Sequence, residues 1–197
     1  MMKRAVFVDR DGTLNEMVFD PDHGLLDSPR RPEQVTLMKN AAKFIDGLRQ
    51  LGFFIVVVTN QPGVSKGTLT LPELDAVNQR LADLLKPAHW DDLRFCPHHP
   101  EFGSPCDCRK PKPGMLMAAA RDHGIDLSQS WMVGDGLIDV QAGRAAGCKT
   151  VLVTKLKISV VERFFDTGGA EPDEVAPNLM SALEIIAGRA TTKKVLE

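Results

Sequence analysis

Phe53-Phe54-Ile55-Val56-Val57-Val58 is apolar at every position. A strand with one wet face alternates apolar and polar residues, so an unbroken run belongs to a strand covered on both faces, as in a parallel sheet. The run ends abruptly at Thr59-Asn60-Gln61-Pro62-Gly63. Ala5-Val6-Phe7-Val8 has the same character and stops at Asp9-Arg10-Asp11-Gly12-Thr13, and Trp131-Met132-Val133-Gly134 stops at Asp135. Leu93-Arg94-Phe95 reads as a short strand and Thr150-Val151-Leu152-Val153 as the last clear one.

Between these runs the apolar period changes to that of a helix. The spacing predicts helices over Leu37 to Leu51, Leu71 to Leu85 with Thr70 as N-cap, Met115 to His123, Val140 to Ala146 and Met180 to Ala187. Gly52, Gly124 and Gly147 stand at three of their ends. Asn15 to Pro32 is rich in proline and glycine and reads as irregular, Thr154 to Pro177 as loop or short helix, and Thr191 to Glu197 as a frayed tail. Strands that alternate with helices imply an α/β fold, a Rossmann-like parallel sheet with helices on both faces. The expected organisation is one domain over 1–190 and a tail over 191–197.

Ligands in open α/β sheets bind beyond the carboxyl ends of the strands. Asp9 and Asp11, Thr59 and Asn60, and Asp135 all fall there. Carboxylates gathered at one sheet edge repel one another unless a cation joins them, and hard oxygen ligands favour Mg²⁺. Asp139 reads instead as a first-turn helix residue whose charge suits the N-terminal dipole. A calcium loop does not fit, because Gly12 is fourth from Asp9 and Asp20 stands at the twelfth place, where that loop needs a glycine sixth and a glutamate twelfth.

The 197 residues are 43% apolar and 25% charged with net charge −2, which leaves no basic footprint for nucleic acid or an anionic membrane. No stretch approaches the roughly 20 apolar residues of a membrane span, and the N-terminus lacks a signal-peptide core. The cytoplasm is the expected compartment, where four cysteines argue for metal or reactivity rather than disulfides. Cys96 to Cys108 holds three thiols and two imidazoles in thirteen residues, enough to close a tetrahedral Zn²⁺ site. His99-Pro100-Glu101 with Pro105-Cys106 is similar to a zinc-deaminase signature, but the second half here is Cys-x-Cys rather than Cys-x-x-Cys. Cys148 lies beyond a helix stop and reads as buried.

Asp9-Arg10-Asp11-Gly12-Thr13 at the end of the first strand resembles the nucleophile motif of the haloacid dehalogenase superfamily of phosphatases. Thr59, Lys110 and Gly134-Asp135 resemble its second, third and fourth motifs, in that order. The resemblance implies that Asp9 attacks phosphorus and that Asp11 moves the proton. It implies further that Asp9, the backbone carbonyl of Asp11 and Asp135 hold Mg²⁺, and that Thr59 and Lys110 hold the phosphoryl oxygens. Cys96-Pro97-His98-His99-Pro100, Cys106-Asp107-Cys108-Arg109-Lys110-Pro111 and Thr59-Asn60-Gln61 resemble the D-glycero-D-manno-heptose 1,7-bisphosphate 7-phosphatases, with the histidinol-phosphate phosphatases closest in pattern. In that family Cys96, His98, Cys106 and Cys108 would bind a structural Zn²⁺, with Arg109, Asn60, Gln61 and the stretch Asp22-His23-Gly24 at the substrate. The family often has lysine where this chain has Gly136, and its loop before Pro32 is shorter. The intervals between motifs leave no room for a large cap domain, so the zinc-binding loop insertion and the Glu16 to Pro32 loop would wall an open cleft. The resemblance therefore implies a monomeric enzyme acting on a small phosphorylated sugar. A zinc-bearing interaction module without catalysis is the reading from another class, against which the full set of Asp9, Asp11, Lys110 and Asp135 speaks.

Overall fold

The computed structural model describes residues 2–21, 24–102, 105–156, 160–161, 163 and 171–194. Its strands are β1 (Ala5–Asp9), β2 (Val18–Asp20), β3 (Leu25–Asp27), β4 (Phe54–Asn60), β5 (Asp92–Cys96), β6 (Trp131–Gly134), β7 (Lys149–Val153) and β8 (Glu174–Ala176). The helices are α1 (Ala41–Gln50), α2 (Gly63–Lys66), α3 (Leu71–Leu85), α4 (Gly114–His123), α5 (Leu137–Ala146) and α6 (Leu179–Lys194). Among the described residues the main sheet has six strands in the order β5-β4-β1-β6-β7-β8, each pairing parallel with its neighbours. The apolar runs explain the order: β1 and β4, apolar throughout, take adjacent interior places where both faces are covered.

Alternation along the strands divides the core in two. Val6, Val8, Ile55 and Val57 point to one face and pack with Phe44, Leu48, Leu81 and Ile186 of α1, α3 and α6. Ala5, Phe7, Val56 and Val58 point to the other and pack with Met115, Leu116 and Ala142 of α4 and α5. The helix α3 begins where the sequence places it, with Thr70 accepting from the Glu73 amide and Glu73 accepting from the Thr70 amide at 2.8 Å. No helix among the described residues is long and apolar enough to cross a membrane.

Four elements differ from expectation. The Asn15 to Pro32 stretch is not irregular throughout, since β2 and β3 form an antiparallel hairpin with Phe19 opposite Leu26. Pro21 and Gly24 lie between the strands rather than within them, so the breakers make the turn and leave the short strands intact. Arg30 ties the hairpin by bonding Asp20 at 3.2 Å and Asp27 at 2.7 Å. In the Thr154 to Pro177 stretch, Glu174–Ala176 forms the edge strand β8, too short to carry a strand signal. Helix α1 starts at Ala41 rather than Leu37 because Leu37 bridges Asn15 and Asn40 takes a left-handed φ of 67°. Helix α6 continues to Lys194, past the expected start of the tail at Thr191.

Candidate active site

The turn after β1 is closed by its own backbone: Leu14 and Asn15 both donate to the Arg10 carbonyl, at 2.9 and 3.0 Å. Gly12 sits in it with φ +89°, and a Cβ there would come within 2.2 Å of Asp135 Oδ2. Glycine is thus required twice over, by conformation and by the close approach of Asp135. Thr13 donates its hydroxyl to Asp135 Oδ1 at 3.3 Å, so β1 and β6 present their acidic ends side by side.

Asp9, Asp135 and Asp139 each offer an oxygen within 4.8 Å of the others. Burial, with Asp139 and Asp11 beside it, pushes the Asp9 carboxyl well above the usual carboxylate range, against the pull of Lys110. Burial and Asp139 push Asp135 up as well. Carboxylates whose charge is this costly make a pocket for a hard cation such as Mg²⁺. The Asp11 carboxyl is not in this cluster, so only its backbone remains available to an ion there. Asp139, read from sequence as a dipole-complementing residue, does cap α5 by accepting from the Gly136 amide at 3.1 Å. It also belongs to the acidic cluster, which the sequence reading assigned to Asp9, Asp11 and Asp135.

Lys110 is almost wholly buried and donates to Asp9 Oδ1, to Asp139 Oδ1 at 2.6 Å and to the Val58 carbonyl at 3.1 Å. Burial alone would depress its pKa, but Asp139 and Asp9 outweigh that and drive it up, so Lys110 is a fixed cation. All three ammonium donors are engaged by the protein. Asn60 holds the Lys110 backbone in a reciprocal pair, accepting from its amide and donating to its carbonyl, each at 3.0 Å. In this arrangement Asn60 positions the lysine.

Asp11 faces a different set of groups. Its carboxyl accepts from Gln61 at 2.8 Å, Asn15 at 3.0 Å, Ser28 at 3.1 Å and the Thr59 hydroxyl at 3.1 Å. Both Arg10 Nε and Nη2 bond it as well. Burial acts to raise its pKa, but the Arg10 charge and these donors prevail and hold it below the ordinary range. Arg10, Asn15 and Ser28 are site residues that sequence reasoning did not single out. A charged residue between two active-site carboxylates was the available signal for Arg10, whereas Ser28 is brought in by the hairpin and had none.

Beside this centre, β5 delivers Cys96 into the cysteine loop. Cys96 Sγ lies 3.6 Å from His98 Nδ1, 3.7 Å from Cys106 Sγ and 3.1 Å from Cys108 Sγ, and His98 Nδ1 is 3.3 Å from Cys108 Sγ. A tetrahedron with ligands about 2.3 Å from zinc has edges of ~3.8 Å, so the four atoms fit one closed site with small adjustment. His99 stands apart, its ring tilted by 55° against that of Phe102 with centroids 5.2 Å apart, and accepts from the Glu101 amide. Arg109 donates to the His98 carbonyl at 3.1 Å and lines a cleft of about 420 Å³ with His98, His99, Cys106, Lys110 and Lys112. Asp22 and His23 lie outside the described residues, and Gly24 occupies the hairpin turn with φ +65°.

Residues 107–182 match the HAD-hydrolase-like family. The chain is 36% identical over 169 residues to the D-glycero-beta-D-manno-heptose-1,7-bisphosphate 7-phosphatase of Pasteurella multocida, covering 82% of this chain and 86% of that protein. It is 38% identical to the protein of the same name from Escherichia coli K12, over 77% of this chain and 78% of that one. The chain belongs to the heptose-1,7-bisphosphate 7-phosphatase family of haloacid dehalogenase-like hydrolases. The crystal structure of a D,D-heptose 1,7-bisphosphate phosphatase from B. bronchiseptica complexed with magnesium and phosphate superposes with TM-score 0.77 at 29% identity, covering 94% of this chain and 99% of that one. The parallel sheet that the ordered motifs imply is thus shared with that structure.

Proposed function

We propose that this chain removes the 7-phosphate of D-glycero-D-manno-heptose 1,7-bisphosphate to give the 1-phosphate. The observation that carries the reading is the meeting of Asp9, Asp11, Lys110 and Asp135 at one sheet edge, in a chain whose relatives bear that enzyme's name. Asp9, Asp135 and the Asp11 backbone carbonyl would hold Mg²⁺, which would supply charge compensation for the incoming anion.

Asp9 is fixed by Lys110 at one oxygen, which orients the carboxylate for in-line attack. A bond forms from Asp9 to phosphorus as the bond from phosphorus to the sugar O7 breaks, and Asp11 gives the leaving oxygen a proton. The donors around Asp11 favour its charged form, so the proton is taken up with substrate, as the phosphoryl anion arrives beside it and draws the Thr59 hydroxyl away. Water then attacks phosphorus, its proton passes to Asp11, and inorganic phosphate leaves with Asp9 restored. Thr59, at the end of β4, has a hydroxyl that a phosphoryl oxygen can claim from Asp11. Arg109, on the rim of the cleft, suits the second phosphate, for which a planar and always-charged fork is the fitting partner.

Phosphate release from both anomers of the heptose bisphosphate and from histidinol phosphate, with Mg²⁺ and with chelator, tests the assignment. The expected kcat/KM for a heptose anomer exceeds that for histidinol phosphate by at least ~100-fold, and chelation abolishes both. Preference for histidinol phosphate would overturn it.

We further propose that Cys96, His98, Cys106 and Cys108 bind one structural zinc in the reducing cytoplasm. Cys108→Ser is expected to drop the bound zinc from about one per chain and to cost about 3 kcal/mol, a fall of roughly 6–12 °C in Tm. Metal analysis and thermal melts read both, and a variant that melts like the parent counts against the site.

A further inference from the structure

We infer that Arg10, anchored by Asn78 of α3, is the positioning residue that fixes the plane of the Asp11 carboxyl for proton delivery to the leaving oxygen. The inference rests on the hydrolase reading given above. Arg10 is completely buried, and a buried guanidinium is tolerated where its donors are matched. Nε and Nη2 face both oxygens of Asp11 at 2.9–3.2 Å, while Nη1 donates to Asn78 Oδ1 at 2.7 Å. The planar fork therefore meets the carboxyl along two directions and restrains its rotation.

Asn78 is the second half of the device. It is 8% exposed and lies on the core face of α3 with Leu74, Val77, Leu81 and Leu85. An amide in that row costs stability unless it finds a partner, and Arg10 is the partner. The other donors to Asp11 are less permanent. The Thr59 hydroxyl is the group a bound phosphoryl oxygen would claim, and Ser28 comes from the segment that follows β3. The Arg10–Asn78 pair is beneath the turn and stays when substrate enters.

The role predicts a dependence on the leaving group. A sugar alkoxide departs only with a proton, whereas 4-nitrophenolate departs without one, so loss of aim at Asp11 penalises phosphoryl transfer to Asp9 from the first and spares it from the second. Hydrolysis of the phosphorylated Asp9, where Asp11 takes the proton of water, is common to both and lies outside kcat/KM. Asn78→Leu keeps the volume and removes the acceptor, Asn78→Ser withdraws it, and Asn78→Asp restores it. Both Asn78→Leu and Asn78→Ser are expected to lower kcat/KM on heptose 1,7-bisphosphate about tenfold, with kcat/KM on 4-nitrophenyl phosphate changing less than ~2-fold. Asn78→Asp is expected to stay near the parent on both substrates. Asn78→Ser carries the comparison if the leucine variant does not fold, and melts identify folded protein. An equal loss of kcat/KM on both substrates would reveal general disruption of the fold and overturn the inference, as would no loss on either. A parent enzyme silent on both phosphates refutes the hydrolase reading itself, whereas an active parent with unselective variants refutes the role of Arg10 alone.

Discussion

Asp9→Asn is expected to release phosphate at least ~10⁴-fold more slowly than the parent while folding normally. The carboxamide keeps the shape of the side chain but has no anionic oxygen to attack phosphorus. Stability should change little, within about 3 °C in Tm, because the two consequences oppose one another. Burial already disfavours charge on Asp9, so its removal relieves a cost, while Lys110 loses one partner and keeps Asp139 and the Val58 carbonyl. Acid quench of the parent during turnover should trap a phosphorylated protein by mass spectrometry, and the variant should show none. Turnover by the variant at the parental rate would remove Asp9 from the reaction.

Lys110→Met is expected to harm both stability and rate. Its side chain is only 2% exposed, against 9% for Asp9 and 4% for Asp139, so the variant strands two buried carboxylates without their cation. Breaking a buried ion pair in this way costs about 3–5 kcal/mol, or a fall of roughly 10 °C in Tm for a chain of this length. Phosphate release should drop by at least ~10³-fold, since the nucleophile is no longer oriented and the positive charge beside phosphorus is gone. Differential scanning calorimetry and a phosphate assay separate the two effects. A variant as stable as the parent would mean that Lys110 and the two carboxylates do not meet in solution.

The strands that position these groups were legible because burial on both faces writes itself as continuous apolar runs, as in β1 and β4. Thr70 likewise announced the start of α3, since an N-cap is a local device. The elements that escaped notice are held by distant partners. The hairpin of β2 and β3 depends on Arg30 reaching across both strands, and β8 is a strand because β7 offers it a ladder. Within the site, the acidic strand ends could be read from local pattern alone, but which carboxylate faces which cation could not. Lys110 lies 101 residues from Asp9, and nothing local tells that its ammonium pairs with Asp9 and Asp139 while Arg10 takes Asp11. Asn78 had a faint signature, a polar residue in the apolar row of an amphipathic helix, whose meaning appears only when its neighbour is known.

Asn60 of β4 lies in register with Cys96 of β5, and the Gln61 amide donates to the Cys96 carbonyl at 2.7 Å. The same Gln61 reaches Asp11 and Thr59 with its side chain, both at 2.8 Å. The cysteine loop is thus joined to Asp11 through a glutamine. Given the zinc proposed for that loop, a cell short of the metal, or one under oxidative attack on its thiols, would find sugar-phosphate turnover slowing before the protein as a whole came apart.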